Sequence, residues 1–146
     1  MSPRPTGTER RTLEDLARSL RVQVAMEDDD MALPLDRHDA AAEARLQAEL
    51  GLTREWALLS PCLPRSERAR EELNLFYFNE LRYEREERTG HWYKAIIDDD
   101  SGNWPDEPGF LLIDPQARWV MDIARRCQQK LLIVGRLGEA PRHIWL

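Results

Sequence analysis

The sequence predicts an α/β chain of the α+β kind: a single mixed β-sheet with about three to four helices packed against it. Three observations carry this expectation. Apolar residues recur at helical spacing in some segments and at strand spacing in others. Helical segments alternate with single strands and with strand pairs, which suits one sheet with helices laid on it. The 146 residues, 42% apolar and 33% charged, suit one domain. A chain of this length buries roughly two-thirds of its unfolded surface, so it needs no metal or disulfide to fold.

Residues 1–11 (MSPRPTGTERR) are polar and hold two prolines, the pattern of a frayed tail, and the domain is expected over 12–146. Thr12 can cap a short helix in which Leu13, Leu16, Ala17 and Leu20 share a face. Val22, Val24 and Met26 alternate with Gln23 and Ala25 as in a strand. After the acidic turn Glu27-Asp28-Asp29-Asp30 comes an extended piece, Met31 to Leu35, broken by Pro34. Asp36 or Asp39 can cap a helix running to about Leu50, with Ala42, Leu46 and Leu50 one turn apart and Gly51 as its stop.

Trp56-Ala57-Leu58-Leu59 reads as a buried strand, ended by Pro61 and Pro64. Ser66 can cap a long helix with the apolar stripe Ala69, Leu73, Phe76, Tyr77 and Leu81. Its other face carries six arginines and seven glutamates between Arg65 and Arg88, the mark of a solvated surface. His91 to Ile97 follows as a strand, with Trp92, Lys94 and Ile96 on one face and Tyr93, Ala95 and Ile97 on the other. An acidic loop, 98–109, leads to the strand Phe110 to Ile113. Asp114-Pro115 reads as a helix start, an N-cap carboxylate before a proline. Trp119, Val120, Ile123, Ala124 and Cys127 form that helix's stripe. Leu131 to Val134 and His143 to Leu146 close the chain as strands, the last one at an edge.

From Met31 onward the chain resembles a small bacterial family catalogued only as a domain of unknown function. The likeness rests on the strand Trp56 to Pro61, with Ser60 where the family usually has asparagine. It continues through Asn74 and Leu81, through Trp104, Glu107, Gly109, Phe110 and Leu111, and through Gln129 to Gly135. Trp104 and Glu107 stand one residue further apart than the family pattern has them. The resemblance implies a shared fold and brings no activity.

Composition excludes several functions. A net charge of −6, from 21 basic and 27 acidic residues, disfavours nucleic acid and anionic membranes as partners. No apolar leader or spanning run is present, so the cytoplasm is the expected location. Cys62 and Cys127 form no metal-ligand pattern and read as buried thiols. No cofactor is expected, because no phosphate loop, dinucleotide turn, nucleophile elbow or zinc helix occurs. His38, His91 and His143 share no ligand spacing.

The 98–109 loop carries five carboxylates, Asp98, Asp99, Asp100, Asp106 and Glu107. The plain reading is a solvated turn. Trp104 either folds back on the core or offers a flat face to a ligand, and Glu107 suits a buried acceptor. The leading expectation is a non-catalytic binding or regulatory module with a protein or small-molecule partner. Its surface would combine Trp104, Glu107, Asn74, Ser60 and Gln129. The alternative is a metal-dependent hydrolase of a phosphate ester or nucleotide, with Asp98, Asp100 and Glu107 as oxygen ligands.

Overall fold

A computed structural model describes residues 19–60, 71–87, 91–99 and 106–146. The elements are β1 (Leu20–Ala25), β2 (Asp30–Pro34), α1 (Ala40–Leu50), β3 (Glu55–Leu59), α2 (Glu71–Glu87), β4 (Trp92–Asp99), β5 (Glu107–Ile113), α3 (Ala117–Arg126), β6 (Leu131–Arg136) and β7 (Arg142–Trp145). The expected tail, the helix capped by Thr12 and the Ser66 cap lie outside the described residues. Leu20, expected at the end of that first helix, instead opens β1.

The strands form one seven-stranded sheet in the order β2-β1-β4-β5-β3-β6-β7. Every pairing is antiparallel, which corrects the expected mixed sheet. Connectivity supplies the reason. Helix α2 joins β3 to β4, and β5 lies between them; α3 joins β5 to β6, and β3 lies between them. Each helical crossover thus links parallel strands, as helix–strand alternation suggests, but an antiparallel strand is inserted into each gap. The stretch from β3 to β6 has the interleaved split-βαβ connectivity of ferredoxin-like folds, extended by β1 and β2 on one side and β7 on the other.

Strand alternation divides the apolar residues between two cores. On one face Val22, Val24, Leu33, Leu58, Ala95, Ile97, Leu111 and Ile133 pack with Ala42 and Leu46 of α1. On the other, Ala57, Leu59, Trp92, Phe110, Leu112 and Leu132 pack with Leu81 of α2 and with Val120, Ile123, Ala124 and Cys127 of α3. The face assignment expected for β4 holds, as does the stripe of α3 with Trp119 half-buried against it. Burial pushes the Cys127 thiol up to about 12, so it is an inert core group.

Local signals set the helix boundaries. Asp39 caps α1 by accepting from the Ala42 amide at 3.0 Å, and Gly51 ends it at φ 74°, a conformation that costs glycine nothing. Arg45 on α1 reaches Asp29 at 2.7 Å, holding that carboxyl below its usual range and tying the acidic turn to the helix. Asp114 does not cap α3. The helix begins at Ala117 behind Gln116, and the Asp114 carboxylate instead accepts from the amides of Thr53, Arg54 and Glu55 at 2.7–3.0 Å and from the Thr53 hydroxyl at 2.9 Å.

The sheet is curled. Six inter-strand spacings of ~4.8 Å would hold its edges about 29 Å apart if it were flat. Yet His143 on β7 donates from Nε2 to the carbonyl of Leu35, just beyond β2, at 2.8 Å. Glu43 of α1 adds a second tie by accepting from the Gly138 amide at 2.7 Å. Close packing inside the curl needs glycine at 135, directly opposite Trp56. A Cβ there would lie 2.2 Å from the Trp56 indole. Among the described residues, no helix is long and apolar enough to cross a membrane.

Candidate functional site

The structure brings together two of the expected site residues, Ser60 and Gln129, which are 69 positions apart. Pairing between β3 and β6 stops at Leu58 and Ile133, so the end of β3 needs other partners. Gln129, only 2% exposed, supplies them. Its Oε1 accepts from the Ser60 amide at 2.9 Å, and its Nε2 donates to the carbonyls of Leu58 at 3.0 Å and Leu131 at 2.8 Å. The Ser60 hydroxyl donates to the Pro108 carbonyl at 2.8 Å. Gly109 makes this approach possible, since a Cβ there would stand 2.9 Å from the Leu59 carbonyl oxygen. The polar atoms of Gln129 are fully committed to backbone, which makes it a strut between strands.

The acidic loop is shorter than expected. Strand β4 extends through Asp99 and β5 begins at Glu107, paired with Ile97, so only 100–106 remain between them. Asp100 and Trp104 lie outside the described residues, and Asn74 is described only as part of the α2 backbone. Asp98 and Glu107 do not converge. Glu107 pairs with Ile97 and shares its face, whereas Asp98, one position along, points to the other. There Asp98 accepts from Arg21 at 2.8 Å and from Gln23 at 3.3 Å. Among the described residues, no group of three or more His, Cys, Asp or Glu side chains could hold a metal ion.

A different feature lies beside these residues. Helix α2 packs through Tyr77 and Leu81 of the expected stripe, joined by Phe78 and Arg85, whereas Phe76 is 55% exposed; Ala69 and the Leu73 side chain lie outside the described residues. The rotation follows from aromatic packing. Phe78 stacks on Phe110 with centroids 5.4 Å apart, and Arg85 sits over the same Phe110 ring at 5.5 Å. Lys94 is directly opposite Phe110 in the β4–β5 register and is exposed, as is Ile96. Between α2 and these strands runs a groove of about 390 Å³, lined by Phe78, Arg82, Arg85, Lys94, Ile96 and Phe110 together with Pro108 and Gly109 of β5.

Its electrostatics are local and positive. Arg82, Arg85 and Lys94 make no ion pair among the described residues, whereas other cations do: Arg126 pairs with Glu84, Arg136 with Glu55 and Arg21 with Asp98. Asp98 lies on the same face as Ile96, but Arg21 neutralises it. The groove is therefore a cationic, aromatic-floored channel in a chain of net charge −6. Sequence reading missed it because Arg82 and Arg85 sat in a mixed-charge helix and Lys94 in a strand; the signal available was Lys94 standing between apolar Trp92 and Ile96 on one strand face. Compared with family models, curated proteins and solved structures, the chain matches none.

Proposed function

We propose that this protein is a binding module and that the groove between α2 and the β4–β5 strands receives a negatively charged group of its partner. One observation carries the reading: Arg82, Arg85 and Lys94 surround an apolar floor and make no ion pair among the described residues. Cations held beside low-dielectric aromatic surface attract an anion more strongly than cations in open water. Arginine offers a planar fork that matches a carboxylate or phosphate. The hydrolase reading gains no support from Asp98 and Glu107, which stand on opposite sheet faces.

Benzoate, a carboxylate on a flat ring, is a minimal probe. In a titration followed by ¹H–¹⁵N NMR, amide and arginine Nε–H signals of Phe78, Arg82, Arg85, Lys94, Ile96 and Phe110 should shift together. The shifts should vanish in Lys94→Glu, which replaces an exposed side chain and leaves the fold intact. Shifts that avoid these residues, or that survive the charge reversal, would exclude the groove as an anion site.

A further inference from the structure

We infer that the natural occupant of the groove is a short, extended, acidic peptide segment of a partner protein, with an apolar or aromatic side chain set among its carboxylates. This inference rests on the anion-binding reading above and goes beyond it. The first argument is shape. The groove is an open channel along a helix: Phe78, Arg82 and Arg85 line it, and Leu75 continues the same helix face one turn upstream. From Leu75 to Arg85 the helix rises about 15 Å, the length of about four or five extended residues.

The second argument is chemistry. A small anion would satisfy the three cations and leave Leu75, 62% exposed, and Ile96, 43% exposed, in water. A peptide that alternates carboxylates with one apolar side chain covers both kinds of surface at once. Anchors of that type dominate binding at peptide and protein interfaces. The third argument is charge complementarity. Two or three carboxylates match Arg82, Arg85 and Lys94 in number. A nucleic acid strand brings a long series of phosphates, which three cations on a chain of net charge −6 cannot offset.

Fluorescence anisotropy with the full chain tests this. The probes are fluorescein-labelled EEFEE, its variants EEAEE and KKFKK, and a twelve-nucleotide poly-dT strand. EEFEE should bind and weaken as salt rises. Exchange of its phenylalanine for alanine should weaken it about tenfold, and KKFKK and the DNA strand should not bind. Leu75→Glu, at an exposed position, should weaken EEFEE and leave the benzoate shifts unchanged. Lys94→Glu should abolish both. If benzoate shifts the groove resonances but EEFEE does not bind, the peptide inference fails and the anion site stands. If neither binds, both fail. Tighter binding of poly-dT than of EEFEE would make the partner a nucleic acid and overturn the inference.

Discussion

Gln129 does for the end of β3 what a neighbouring strand does elsewhere: it offers one acceptor and two donors to backbone groups that would otherwise be buried without partners. Leaving such groups unsatisfied costs about 1–3 kcal/mol each. Gln129→Ala should therefore lower the unfolding free energy by about 3 kcal/mol or more in urea denaturation. A loss below about 1 kcal/mol would show that water replaces the amide. Both Ser60 and Gln129 were legible as positions of interest through the family-like motifs that contain them. Their joint role was not, because nothing in the linear chain states that the end of one strand needs a partner from a loop 69 positions away. The inertness of Cys127 follows the same logic: its helical spacing shows that it faces the core, and the fold then supplies the burial that raises its pKa.

At the scale of elements, the start of α3 and the packing of α2 depart from what local rules suggest. Asp114-Pro115 has the form of a cap, but Asp114 adopts φ 50° and turns its carboxylate toward β3. Aspartate tolerates that left-handed conformation better than most residues. Desolvation pushes the Asp114 carboxyl up, but the hydrogen bonds from the Thr53 side chain and amide, and from the Glu55 and Arg54 amides, outweigh it and hold the group below its usual range. Its folded pKa is thus below the unfolded value near 3.9, so the clamp is at full strength above about pH 4 and is lost as pH falls through the folded value. Asp114→Asn should destabilise the protein by about 1 kcal/mol at pH 7, since the carboxylate is partly solvated. The gap between variant and parent, measured by urea melts across pH, should narrow as pH falls below the ordinary carboxylate range and the carboxylate takes up its proton. A gap that persists in acid would mean that side-chain shape, not charge, carries the clamp. In α2, the apolar stripe read from helical spacing placed Phe76 inward with Tyr77 and Leu81. The stack of Phe78 on Phe110 and the seat of Arg85 over that ring turned the helix, and this rotation brought Arg82 and Arg85 to the groove.

For the whole molecule, the decisive feature is the curl that brings the two ends of a seven-stranded sheet within one hydrogen bond. Its concave side holds α1 and a core drawn from both edges, including Leu33 and Leu35 near β2 and Leu131 near β7. His143→Phe keeps a planar ring at β7 and removes the donor to the Leu35 carbonyl. It should cost about 1–2 kcal/mol of stability. Amide hydrogen exchange in β7 should accelerate, because the edge strand loses its tie across the curl. Unchanged exchange in β7 would show that α1 alone holds the curl through Glu43 and the core.

Taken by itself, the sequence determined what depends on neighbours along the chain. Alternation at Val22 and Val24 and across Trp92 to Ile97, the cap and stop of α1 at Asp39 and Gly51, and the stripe of α3 are set by local sterics and by the period of apolar residues. Tertiary structure alone decided the rest. Whether a helix joins adjacent or interleaved strands, whether Asp98 and Glu107 face each other, and whether three scattered cations line one groove all depend on sheet order. That order is selected by packing among residues far apart in the chain, where burial outweighs local preference and no spacing rule applies.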